Sequence, residues 1–325
     1  MRVGQNPIKS VENIAPPAPV TVVVISYIPF LAGYYAEALV ILKLCLGSLH
    51  ANTEDAYDLM LFDNGSCAEV RNYLLAEHTE GRIQYLTLSE RNLGKPAAWN
   101  SALLAAPGEF VAYADSDVYF YPGWLQVSLD ALDTFPHAGM VTAMPILVPE
   151  KYSTETLKWA KKQTGVKTER GQLLPWDDFW RHARSLGDDE MQARRFYDEN
   201  EITRLSYKKK SYYVGAAHFQ FTARKSALQA ILPIVADRPM GQVRQLDEAV
   251  NVKGFLRLST TTWHVRHFGN SLPLPGDQIG STAPPITAKK RTSSTEIWRW
   301  APLRRLLKWV NGWSFDRLHR TDQGK

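Results

Sequence analysis

The chain has 325 residues, 45% of them hydrophobic and 22% charged, and a net charge of +5. These proportions exclude a disordered chain and suit one large domain or two fused halves. Ten Lys and Arg against three acids fall within 286–325, a net of +7, so the remainder stands at −2 and a nucleic-acid surface spread over the body is excluded.

In chain order, residues 1–19 lack the apolar core of a secretion signal and read as an N-terminal arm. Residues 20–27, Val-Thr-Val-Val-Val-Ile-Ser-Tyr, form a β-branched run that predicts a buried strand. The apolar region 20–49 is interrupted by Pro29, Glu37 and Lys43, so it falls short of the ~20 apolar residues of a membrane span. Within it, Leu39, Leu42, Leu46 and Leu49 share one face of a predicted helix over 36–49. Residues 58–62 predict a second strand, which ends in the turn formers Asp63, Asn64, Gly65 and Ser66. A helix over 69–77, a strand over 83–88, a helix over 96–106 and a strand over 109–114 follow. Cys45 and Cys67 lie in no metal-binding or disulfide pattern and read as reduced thiols of a cytoplasmic protein.

Strands alternating with helices predict an α/β fold, a mostly parallel sheet flanked by helices. In such sheets ligands sit beyond the carboxyl ends of the strands. Three polar clusters fall there: Ser26-Tyr27, Asp63-Asn64-Gly65 and Asp115-Ser116-Asp117. Two carboxylates two positions apart repel one another unless something neutralises them. A divalent cation of the Mg²⁺ type, bound by one or two carboxylates together with phosphate oxygens, does so. Taken by itself the triplet is equally a solvated acidic loop.

The order of these segments resembles the family-2 glycosyltransferases with the GT-A fold, over about 20–144 and more loosely beyond. Val24-Ile25-Ser26-Tyr27 is similar to the segment whose Tyr stacks on the nucleotide base. Asp63-Asn64-Gly65-Ser66 is similar to the loop whose Asp recognises that base. Arg91-Asn92-Leu93-Gly94-Lys95, followed by Asn100, resembles the segment beside the diphosphate. Asp115-Ser116-Asp117, followed by Pro122-Gly123-Trp124-Leu125, stands where the family has its D-x-D. Ile25 and Ile28 depart from the family's Pro and Asn, but the hydroxyl and the aromatic ring remain.

The resemblance implies a single GT-A-type domain. Its nucleotide-sugar-binding half is 20–148 and its acceptor-binding half 149–275, with a charged helical insertion over about 150–210. It further implies an inverting, metal-dependent transfer from a nucleoside-diphosphate sugar, UDP favoured, to the hydroxyl of a glycan or glycolipid, in polysaccharide biosynthesis. The expected cofactor is Mn²⁺ or Mg²⁺, held by Asp117 directly and by Asp115, which also lies near the ribose. Ser26, Tyr27, Asp63, Asn64, Gly65, Asn92, Gly94, Lys95, Asn100, Asp115 and Ser116 are the expected donor-binding residues.

The family's acidic pair near the start of a later helix stands here reversed, as Asp247-Glu248. An inverting transfer needs a base for the acceptor proton. Asp247 is the candidate, with Glu248 beside it; acids that merely favour a helix's first turn are the plainer reading. The resemblance also implies a His after the last core strand as a third metal ligand, for which His267, before Phe268-Gly269-Asn270, is the better candidate and His264 the lesser; strand alternation sets the two, three apart, on opposite faces, so at most one points at the site. Arg91 and Arg266 join Lys95 as cations that could face a diphosphate. A linker and a basic, Trp-rich helical tail occupy 276–325. The tail segment 296–320 suits either peripheral contact with anionic lipid at the inner face of a membrane or packing on the domain or a second copy. A sugar nucleotidyltransferase would need a Gly-rich basic loop after the first strand, which Ser26-Tyr27-Ile28-Pro29 is not. A non-catalytic nucleotide-sugar binder on the same fold is the remaining alternative.

Overall fold

In the computed structural model, residues 14–240 and 243–272 are described, together with Gly4 and Asn6; the linker and the tail segment 296–320 lie outside them. The organising strand is β1 (Val20–Ser26), buried at every position on both faces. That is why its sequence is a continuous β-branched run rather than an alternation. Val22 and Val24 pack toward α1 (Ala38–Asn52) and α2 (Ala68–Thr79), whereas Val23 and Ile25 pack toward α3 (Lys95–Ala105). Each fully buried Val contributes roughly 1.5–3 kcal/mol, so this strand anchors both layers.

Three strands surround it: β2 (Tyr57–Asp63), β3 (Tyr85–Leu88) and β4 (Phe110–Asp115). The rest of the fold comprises β5 (Val118–Phe120), α4 (Trp124–Thr134), β6 (Ala138–Thr142), α5 (Thr154–Lys162), β7 (Lys167–Gly171), α6 (Trp176–Ser185), α7 (Glu190–Glu199), β8 (Ile202–Tyr207), β9 (Lys210–Val214), β10 (Gln220–Arg224), α8 (Lys225–Ile231), α9 (Arg244–Val252), β11 (Leu256–Thr260) and β12 (Val265–His267). Ten strands form one sheet in the order β3-β2-β1-β4-β10-β6-β11-β9-β8-β7. The first four are mutually parallel, β6 and β11 run with them, and β10 and β9 run against their neighbours. This is the α/β, GT-A-like architecture expected.

Register sets the site. Ser26 lies opposite Asp63 and Ile25 opposite Asp115, so the carboxyl ends of β1, β2 and β4 finish level. A separate two-stranded sheet pairs β12 with β5 and sets His267 opposite Val118, one residue past Asp117.

The second half differs from the sequence expectation in its insertion. The 150–210 segment is not a helical insertion alone, because β7 and β8 within it extend the main sheet past β9. The β8–β9 turn is made by Lys208 and Lys209, both at positive φ, 50° and 65°. That is the backbone of a tight hairpin, which Asn-Gly ordinarily signals, so two lysines conceal it. Further on, β9 and β10 are separate strands, and β11 and β12 belong to different sheets. Among the described residues, no helix is long and apolar enough to cross a membrane.

Candidate active site

The loop after β2 is the framework of the site. Asp63 is fully buried; one carboxylate oxygen accepts the Ser26 hydroxyl at 3.0 Å and the other the Ser66 N–H at 3.1 Å. The Ser66 hydroxyl accepts the Ile28 N–H at 2.9 Å. Asn64 donates to the Asn92 side chain at 3.0 Å and accepts the Leu93 N–H at 2.9 Å. The Asn92 oxygen also accepts the Gly94 N–H at 2.7 Å. Gly65, at φ +91°, lets two loops meet: a Cβ there would stand 2.8 Å from the Arg91 carbonyl carbon and 2.9 Å from the Asn92 nitrogen. No side chain fits that gap.

Part of the expected donor set is engaged within the fold. Ser26, Asp63 and Asn64 are all enclosed, at 0%, 0% and 3% exposure. Their polar atoms tie strand ends and loops together. Asn100 is likewise committed, since its amide donates to the Ile234 carbonyl at 2.8 Å and accepts the Ile234 N–H at 2.9 Å. Tyr27 keeps 37% of its surface and meets Tyr35 edge-on. Arg91 is exposed, whereas Arg266 is buried and engaged by Tyr121 and the Phe268 ring.

At the end of β4 the acidic triplet gathers partners. Asp115 accepts from Lys95 Nζ at 2.6 Å and from the Tyr113 hydroxyl. Tyr113 was not among the expected residues, although it stands two positions before Asp115 on one strand and so shares its face. Burial, and then the Asp115 charge, push the Tyr113 phenol well above its usual range, so it stays a donor. Across from this pair, His267 Nε2 stands 3.3 Å from Asp117 Oδ2. Oxygens of Asp115 and Asp117 and a ring nitrogen of His267 all lie within 4.8 Å of one another. His264 points elsewhere, with its Nε2 2.9 Å from the Thr262 hydroxyl. Ser116 lies in the turn between the two acids and is partly exposed.

Two observations show that this donor set fits a divalent cation. Asp117 Oδ1 is buried and has no hydrogen-bond partner among the described residues, a costly state for a carboxylate oxygen unless a cation meets it. His267 is also oriented from behind. The Ser185 hydroxyl donates to the His182 carbonyl at 2.6 Å, so it meets His267 Nδ1 at 2.9 Å as an acceptor. That places a proton on Nδ1 and turns Nε2 toward the acids, as metal-binding histidines are commonly held. Burial works to raise the Asp117 carboxyl, but His267 and then Lys95 outweigh it and hold it below the usual range. For His267 burial works downward, and Asp117, followed by Asp115, raises it above its ordinary value.

His182, also outside the expected set, packs its ring against Phe219 at 5.0 Å and His267 at 5.8 Å. Burial, followed by His267, pushes it down to about 3. An unfolded chain takes up this proton below about pH 6.5, whereas the folded chain resists it down to the lowered value. Stability is therefore full above the unfolded value and declines as pH falls toward 3. Urea unfolding of the metal-free protein should show a loss of about 2 kcal/mol from this residue between pH 7 and 5. A His182→Gln variant should lack that slope; an unchanged slope would reject the assignment.

On the other side of β10, Asp247 is 6% exposed and fully engaged. Its Oδ1 accepts from Arg257 Nη2 at 2.6 Å and its Oδ2 from His218 Nδ1 at 2.8 Å. Arg257, 1% exposed, also donates to the Tyr152 and Ala216 carbonyls at 2.7 and 2.5 Å. Burial lowers the guanidinium and Asp247 opposes that shift. Asp247 is thus no freely presented carboxylate, and its neighbour Glu248 is exposed on another face of α9. Neither His218 nor Arg257 carries a local sequence signal.

The chain is similar to known proteins over part of its length. The profile of glycosyl transferase family 2 matches residues 34–185. The candidate glycosyltransferase EpsH of Bacillus subtilis (strain 168) is 28% identical over 88 residues, 27% of this chain and 25% of that protein, so the chain spans about a quarter of this relative's length. Among solved structures, TarS of S. aureus is 15% identical with a TM-score of 0.43, covering 76% of this chain and 60% of that one. The mannosyltransferase PcManGT of Pyrobaculum calidifontis, in complex with GDP-Man and Mn²⁺, is 15% identical with a TM-score of 0.43, covering 79% and 59%. A TarS structure with UDP-GlcNAc is 21% identical with a TM-score of 0.32, covering 41% and 37%. The matched segment, residues 34–185, spans the Asp63 loop, the Arg91–Lys95 segment and the acidic triplet, so it is this part of the chain that is similar to glycosyl transferase family 2.

Proposed function

We propose that the chain transfers a sugar from a nucleoside-diphosphate donor to a hydroxyl of a glycan or glycolipid acceptor, with inversion at the anomeric carbon. The observation that carries this reading is the convergence of Asp115, Asp117 and His267 at the end of β4, with a buried, unpartnered carboxylate oxygen on Asp117. These three residues would hold Mn²⁺ or Mg²⁺. When bound, the cation supplies positive charge against the departing nucleoside diphosphate.

The chain's own groups do the rest. Lys95 Nζ, now on Asp115, starts α3 directly after Gly94 and lies where a diphosphate would meet the acids. It offers a second positive charge to the leaving group. Tyr27 has the exposed ring surface that a nucleobase can stack on. With Asp63 enclosed, the base rests on Tyr27 and its surroundings, so a test should span uridine and guanosine donors.

A thermal-shift panel of UDP, GDP, UDP-GlcNAc and GDP-Man, each with and without Mn²⁺, examines this reading. Saturation at 100 times Kd stabilises by about 2.7 kcal/mol, a shift of several degrees. The expected result is a shift with at least one nucleotide that depends on the metal. No shift with any member of the panel would defeat the proposal.

A further inference from the structure

We propose that His218 is the group that takes the acceptor's proton, and that Asp247 and Arg257 hold it in place; this rests on the sugar-transfer reading above. The three residues form a relay in space, though 218, 247 and 257 lie on different elements. Asp247 receives Arg257 on one oxygen and His218 Nδ1 on the other. An ionised carboxylate only accepts hydrogen bonds, so the His218 proton sits on Nδ1 and a lone pair remains on Nε2. That nitrogen has no hydrogen-bond partner among the described residues. Exposure separates the roles: the His218 side chain keeps 29% of its surface, Asp247 9% and Arg257 1%. The imidazole is the member a substrate can reach.

Its position supports the assignment. The next residue, Phe219, accepts the Asp115 N–H on its carbonyl at 2.8 Å and lays its ring 5.1 Å from His267. The His218 ring meets Trp99 edge-on at 6.0 Å, and the same Trp99 carries Lys95 Nζ 5.1 Å from its ring centre. His218 therefore lies on a wall shared with the acidic cluster. A base held by hydrogen bonding to a third group is the arrangement that activates a hydroxyl nucleophile.

In the step, Nε2 of His218 takes the proton of the acceptor hydroxyl as its oxygen bonds to the anomeric carbon. The bond from that carbon to the diphosphate oxygen breaks, and its electron pair leaves with the nucleoside diphosphate. The imidazolium, facing Asp247, then gives its proton to water. Asp247 and Arg257 are positioning residues, since neither touches the substrate.

The test uses the full chain with Mn²⁺, UDP-GlcNAc and GDP-Man as donors, and simple methyl glycosides and disaccharides as acceptors, reading nucleoside diphosphate release. His218→Gln should lose on the order of 10²–10⁴-fold in turnover, the usual worth of a general base, while donor affinity stays within about twofold. His218→Ala should regain part of its turnover when imidazole is added, which a merely structural histidine would not show. Turnover of His218→Gln near the wild-type rate would overturn the assignment and leave the transfer reading standing. Equal loss of donor binding and turnover, with no imidazole rescue, would also overturn it. A wild-type chain that releases nothing from either donor would defeat both readings.

Discussion

Asp117→Asn should remove the metal dependence of donor binding and lower transfer by more than about 100-fold. Residues that only orient a metal ligand cost 10–100-fold when changed, so a group that touches the ion should cost at least as much. Asp117 is the sharper choice within the cluster. Its Oδ1 has no partner among the described residues, whereas Asp115 is already shared by Lys95 and Tyr113. The variant keeps the shape of the side chain, so the Mn²⁺-dependent thermal shift is the clean readout. A shift of wild-type size in Asp117→Asn would place the cation elsewhere.

The second large effect falls on stability. Arg257→Met should cost about 3–5 kcal/mol, because it leaves the Asp247 charge buried beside a neutral chain. It also strips the Ala216 and Tyr152 carbonyls of a donor. The double variant Arg257→Met with Asp247→Leu should recover most of that loss, since a buried ion pair is often replaceable by apolar packing. Urea midpoints of the two single variants and the double variant measure the coupling. If the double variant is as unstable as the sum of the singles, the burden lies in packing and the charge-pair account fails.

The first half of the fold was legible for a physical reason. Parallel strands buried on both faces must be apolar throughout, so their ends are marked by the first polar residues, here Ser26, Asp63 and Asp115. What those polar residues do was less legible. Asp63 looks like a recognition group in sequence, yet two hydrogen bonds enclose it, and enclosure is a property of register rather than of residue type. The acceptor side was harder still. The groups that engage Asp247 stand 29 residues before it, ahead of β10, and 10 after it, on β11, and no local spacing links them. His267 was readable from the residues around it, but its orientation by Ser185 required the end of α6 to reach β12.

The far edge of the large sheet has its own consequence. Its last strand, β7, reads Lys-Thr-Glu-Arg-Gly, exposed along nearly all its length. An edge strand offers unpaired backbone groups to any other strand, and charge is the usual deterrent. A second chain adding there in parallel register would set Lys167, Glu169 and Arg170 against their own copies, with no apolar face to bury in return. The segment that lengthens the sheet thus also terminates it, and it guards a protein with ten strands in one layer against templated self-association.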